Sequence, residues 1–234
     1  MFLTGTLLNA ATVLVGGLLG TIVGERLPER LRESVLRGLG LFTLVLGAKM
    51  AIETQSVLVL LFAILLGGIA GASLSLDARL NALGDALQRR FAHRGGRVSE
   101  AFVTSSLVFC VGPLTFLGAI QNGLSGDLTL LSLKSALDGF AALAFAASLG
   151  WGVLLSVGTI LVYQGGLAAG ASLFQGLLTD PMIREMSAAG GLLIVGVGLR
   201  LLKLRDVAVA DYLPAIVVAP VIVALSGAVR WPFG

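Results

Sequence analysis

The chain has 234 residues, of which 56% are apolar and only 12% charged, with 32 glycines, a mean hydropathy of +0.98 and a net charge of +3. That profile excludes an ordinary soluble globular domain and implies an integral membrane protein. One cysteine (Cys110) and one histidine (His93) leave no intrachain disulfide and no Cys/His cluster for zinc, haem or an iron–sulfur centre.

Apolar runs bounded by charged or turn-forming residues predict transmembrane helices near 4–24, 36–54, 56–76, 101–124, 128–150, 152–175, 187–204 and 212–230. The expected fold is an all-α integral membrane protein of about eight helices, a single polytopic domain over 1–234. The first run, "TGTLLNAATVLVGGLLGTIVG", has no basic residue before it and no small-residue cleavage signature, so a retained helix is expected rather than a signal peptide. Gly16, Gly20 and Gly24 in that helix, and Gly67 and Gly71 in the third, have the spacing of faces that let helices approach closely. Asn9 and, further on, Gln164 are polar residues inside spans, and the ordinary use of such residues is a helix-to-helix hydrogen bond.

Basic residues collect in alternate loops. Of the 16 Lys and Arg, 12 fall in connections on one side of the predicted membrane, including the segment from Asp77 to Glu100, and 4 on the other. Because cytoplasmic loops are enriched in Lys and Arg, both termini are expected outside the cytoplasm. The basic stretch "LQRRFAHRGGRVSE" has no aromatic framework for base recognition, and membrane topology with anionic lipid accounts for it. Nucleic acid is therefore not an expected partner.

The fourth predicted helix, "AFVTSSLVFCVGPLTFLGAIQNGL", is interrupted by Gly112 and Pro113. Proline removes a donor and clashes one turn back, so a kink is expected, with carbonyls around residues 108–110 either free for a ligand or satisfied by Thr104, Ser105 or Ser106. Gln121, Asn122 and Asp127 follow, in a Gly-rich turn that reads equally as an outer vestibule or an ordinary loop. The fifth helix carries Lys134 and Asp138 at i, i+4 on one face. If it begins at Leu128, Asp138 lies ten residues in, about 15 Å deep and near mid-membrane; if it begins at Ser135, the pair is interfacial. A charge at the bilayer centre costs about 2.5–3.5 kcal/mol and persists where it faces a cavity or a partner.

Three pairs of segments match in order across the chain: "VGGLLG" with "QGGLAAG", "RESVLRGLG" with "REMSAAGG", and "LFTLVLGAK" with "LLIVGVGLR", at offsets of about 149–152 residues. The copies (4–76 and 152–230) lie an odd number of helices apart and would enter the membrane in opposite directions around central helices 101–150. Inverted repeats of this kind hold substrate near mid-membrane in secondary transporters; chance similarity of Gly- and Leu-rich helices is the other explanation.

"LVFCVGPLTFLGAIQNGLSGD", "KSALDGFAALAFA" and "VYQGG" together resemble the bacterial inner-membrane family named domain of unknown function 554. The resemblance implies a multi-pass protein of the bacterial inner (cell) membrane and points to the central helices, without implying an activity. The expected function is transport or conduction of an ion or small polar solute. Asp138, Lys134, Asn122, Gln121, Asp127, Gly112 and Pro113 are the candidate binding residues. The alternative is a non-transporting scaffold or accessory subunit. No nucleophile, phosphate-binding or metal-ligand pattern is present, so no enzyme, metal or cofactor is expected. The expected partners are membrane lipid, an ion or small polar solute, and further copies of the chain.

Overall fold

The computed structural model describes residues 3–91, 97–110, 113–174 and 178–228. Eleven α-helices follow one another, with no strand among the described residues: α1 (Thr4–Arg26), α2 (Glu29–Ile52), α3 (Val57–Ser73), α4 (Leu76–Arg90), α5 (Val98–Cys110), α6 (Pro113–Ser125), α7 (Thr129–Leu149), α8 (Ser156–Ala169), α9 (Ala171–Phe174), α10 (Asp180–Leu201) and α11 (Ala215–Ala228). Short 3-10 turns at Trp151–Leu155 and Val209–Tyr212 lead into α8 and α11. Large apolar side chains such as Leu7, Phe42, Val45, Phe62 and Ile69 are exposed on the helix surfaces. That inverts the usual sorting of soluble proteins and suits contact with lipid tails.

Among the described residues, six helical segments are individually long and apolar enough to cross a membrane, and two bent pairs raise the number to eight when each pair counts as one span. The first pair, α3 and α4, is bent by 54° at Ser75, whose backbone is left-handed (φ 52). Because α4 bears Asp77, Arg79, Asp85, Arg89 and Arg90, the crossing belongs to α3, and α4 turns along one face of the bundle. The connection expected at 77–100 thus contains a helix that the search for apolar runs misses. In the second pair, α5 and α6 meet at a 60° bend. Pro113 opens α6, so the expected kink is a break between two 13-residue helices.

Other boundaries also move. α2 begins at Glu29, seven residues before the apolar run, because its first turns are polar and carry Glu29, Arg30 and Arg32. α10 begins at Asp180, capped by Thr179 and with Pro181 in its first turn, where proline costs no hydrogen bond.

α1 and α7 run parallel and touch backbone to backbone. Gly16, Gly20 and Gly24 face Gly139, Leu143 and Ala147 at matching four-residue steps, and a Cβ at any of the three would collide with the opposing main chain. α2 and α10 pack antiparallel through a second set of glycines. A Cβ on Gly47 would lie 2.6 Å from Gly191 O, one on Gly191 2.6 Å from Ala51 N, one on Gly40 2.8 Å from Leu202 Cγ, and one on Gly198 2.8 Å from Leu44 Cγ. α3 meets the start of α11 in the same way, with Gly67 against Ala215 and Gly71 against Asp211.

Polar contacts between helix ends fix which of them share a face. Arg97 donates to Ser148 O, Arg200 pairs with Asp77 and Asp206, Asp211 accepts from Asp77 N, and Gly24 meets Ala147. The end of α1, the starts of α2, α5 and α8, helix α4 and the end of α10 therefore form one basic face. At the opposite face the buried Glu185 carboxylate near the start of α10 accepts from Thr54 Oγ1 and from the amides of Gln55 and Ser56, tying α10 to the turn between α2 and α3.

Candidate functional site

α7 begins at Thr129, so Asp138 lies nine residues in, about 13.5 Å along a 21-residue helix. A start at Ser135, which would make the pair interfacial, is not what forms. Lys134 and Asp138 share one face of α7 and make a direct ion pair between Lys134 Nζ and Asp138 Oδ2, with the residues only 4% and 8% exposed. Two buried charges in apolar surroundings persist only if paired and hydrogen-bonded.

The hydrogen bonds come from helices on either side. Asn9 of α1 donates through Nδ2 to Asp138 Oδ2 at 3.0 Å and to Gln164 Oε1 of α8 at 2.9 Å. Gln164 in turn donates through Nε2 to Thr6 Oγ1 at 3.3 Å. One turn before Asn9, Gly5 N donates to Asn122 Oδ1 of α6 at 3.2 Å, so a carboxamide satisfies an amide that the first turn of α1 leaves open. Asn9, Asn122 and Gln164 are fully buried. Two of their polar atoms have no hydrogen-bond partner among the described residues: Asn9 Oδ1, an acceptor, and Asn122 Nδ2, a donor.

The structure thus gathers Lys134, Asp138 and Asn122 of the sequence-predicted set into one region, linked through α1. It separates Gln121 and Asp127 from them. Gln121 Nε2 donates to Asp127 Oδ2 at 2.8 Å, while Asp127 Oδ1 accepts from Thr129 N and Oγ1 at 2.8 and 2.7 Å, making a surface clasp between α6 and α7. Those bonds hold the Asp127 carboxyl below the usual carboxylate range, the backbone bond from Thr129 contributing most. Asn122, by contrast, is wholly enclosed.

Gly112 lies outside the described residues. Of the carbonyls before the break, Phe109 O accepts from Thr115 Oγ1 at 3.1 Å. The partner comes from the far side of the break, rather than from Thr104, Ser105 or Ser106. Ser105 instead donates to Ala101 O, and Ser106 pairs with Thr159 of α8.

Asn9 and Gln164 do form the helix-to-helix bond expected of them, but they do so on the charged pair itself. The signal for that role was positional: each is a carboxamide in the first or last two turns of a span whose end reaches the same face as the start of α7. A shallow apolar groove also follows α1 and α7, lined by Thr12, Val15, Gly16, Ala136, Gly139 and Phe140. By helical phase it lies on the opposite side of α7 from the ion pair, facing the lipid. No group of three or more His, Cys, Asp or Glu with metal-binding geometry occurs among the described residues.

A family model described as "Protein of unknown function (DUF554)" matches residues 4–224. The chain belongs to this family. It is 34% identical to the "Uncharacterized protein YqgA" of Escherichia coli (strain K12), over 92% of this chain and 94% of that one. It is 23% identical to the "Uncharacterized membrane protein YdfK" of Bacillus subtilis (strain 168), over 94% of this chain and 95% of that one. No solved structure matches the chain. The family, its membrane relative and the apolar helices together make this a multi-pass membrane protein.

Proposed function

We propose that the protein carries an ion or small polar solute across the inner membrane through the site built on Lys134 and Asp138. The observation that carries this reading is a buried ion pair about half-way along an apolar helix, hydrogen-bonded by the Asn9 carboxamide of α1, which Gln164 of α8 holds in turn. A packing role needs no charge at that depth, and leucines would fill the space at lower cost, so charges kept within a span point to a binding site.

The inverted repeat belongs to the same reading, and the α2–α10 contact supports it. Gly40 and Gly191 differ by 151 residues, as do Gly47 and Gly198, Leu44 and Val195, Met50 and Leu201, and Ala51 and Leu202. Gly40 meets Leu201 and Leu202, whereas Gly191 meets Met50 and Ala51; Gly47 meets Val195, whereas Gly198 meets Leu44. These contacts, though not that of Gly47 with Gly191, have counterparts under exchange of the two helices, as a two-fold axis in the membrane plane would give. Eight spans with both termini outside the cytoplasm complete the proposal. The scaffold alternative has no comparable observation in its favour.

The test is flux in proteoliposomes loaded with a panel of inorganic ions and small polar solutes. Asp138→Asn should lower gradient-driven flux of the transported species at least tenfold while the protein still elutes as a folded species in detergent. If nothing in the panel moves through the wild-type protein, the transport reading falls.

A further inference from the structure

The charges in the site sum to zero, and we infer that its ligand is a small zwitterion bearing an ammonium and a carboxylate. This inference rests on the transport reading and narrows its substrate class. Asp138 is already neutralised by Lys134, and no other acidic or basic side chain is hydrogen-bonded into the network among the described residues. A monovalent cation or anion entering here would leave an unbalanced charge in a low-dielectric interior. A zwitterion leaves none, because it exchanges one internal ion pair for two pairs with the ligand.

The two unpartnered carboxamide atoms support the same ligand with the correct signs. Asn9 has committed its amide nitrogen to Asp138 and Gln164, so its free oxygen is left to accept from an ammonium. Asn122 has committed its oxygen to Gly5 N, so its free nitrogen donates to a carboxylate. The bound ammonium would meet Asp138 and Asn9 Oδ1, and the carboxylate would meet Lys134 and Asn122 Nδ2. Each orphaned atom thereby gains the partner that burial otherwise denies it. The intrahelical Lys134–Asp138 contact then serves as the ligand-free state, holding both charges compensated until a ligand separates them.

Glycine, glycinamide and N-acetylglycine test this, being a zwitterion, a cation of the same size and a somewhat larger anion. Uptake of each into proteoliposomes containing the full chain should favour glycine at least tenfold over both of the others. Lys134→Gln leaves a site of net charge −1 and should shift preference to glycinamide; Asp138→Asn leaves +1 and should shift it to N-acetylglycine. The exchange Lys134→Asp with Asp138→Lys restores neutrality and should restore the glycine preference. Wild-type flux of glycinamide, N-acetylglycine or inorganic ions with none of glycine overturns the zwitterion and leaves transport standing. No flux of any species removes the transport reading as well. If the single variants lose all three solutes equally while remaining folded, the pair is structural and the ligand assignment fails.

Discussion

Removing the Asp138 carboxylate leaves the Lys134 ammonium buried without its counter-ion, whereas removing both charges leaves an apolar helix that still packs. Breaking one partner of a buried pair costs about 3–5 kcal/mol, while replacing both by apolar groups of similar volume is often neutral. Asp138→Ala is therefore expected to unfold at lower denaturant concentration than wild type, and Lys134→Met with Asp138→Leu to recover most of that loss, as read from unfolding in mixed detergent micelles. Asp127 behaves differently because it is at the surface. Its folded carboxyl titrates below the unfolded value of about 3.9, so its contribution is fully present above that value and disappears as pH falls through the lower, folded pKa. Hydrogen exchange at the Thr129 amide should accelerate, relative to neighbouring amides of α7, only below about pH 4, and Asp127→Asn should abolish that acid-dependent step.

At the scale of elements, the small-residue stripe of α1 decides how closely α7 can carry the ion pair to Asn9. Gly20 faces the main chain at Leu143 with no room for a Cβ, so Gly20→Leu should force the two helices apart at a cost of about 1–3 kcal/mol or more. Gly38 lies on the exposed side of α2, where a Cβ would have no neighbouring atom within 4 Å, and Gly38→Ala should instead stabilise by about 0.5–1 kcal/mol through backbone entropy. Thermal unfolding of the two variants in one detergent compares these signs directly. The stripe was legible in the sequence because its four-residue spacing needs no knowledge of the partner. The partner was not, since Gly139, Leu143 and Ala147 lie far along the chain. α4 escaped for another reason: a span announces itself as an unbroken apolar run, and "LDARLNALGDALQRR" has only a periodic one. The break at Pro113 was legible from proline chemistry. Thr115 as the partner of Phe109 O was not, because a bend of 60° brings together groups that a straight helix would keep apart.

For the whole molecule, the sequence carries the order of the apolar helices in its hydropathy. What joins Asn9 to Gln164 and Asp138, at separations above 120 residues, is set only when α1 inserts between α7 and α8. Orientation makes the last prediction. The Asp127 turn and the Arg205 loop lie on opposite faces of the bundle, since α7 starts at one face and ends at the other, where α10 also ends. Basic side chains gather on the Arg205 face, so that face is expected in the cytoplasm and the Asp127 turn outside. In a Cys110→Ala background, a cysteine at Asp127 should react with an impermeant maleimide added to intact cells, and one at Arg205 should react only after the membrane is opened. Because α11 leads from the Arg205 face to the opposite one, a cysteine near Leu225 should label like the one at Asp127. Labelling of Arg205 and Leu225 from the same side would remove the eighth span, and with it the pairing of α3 with α11 that the inverted repeat requires.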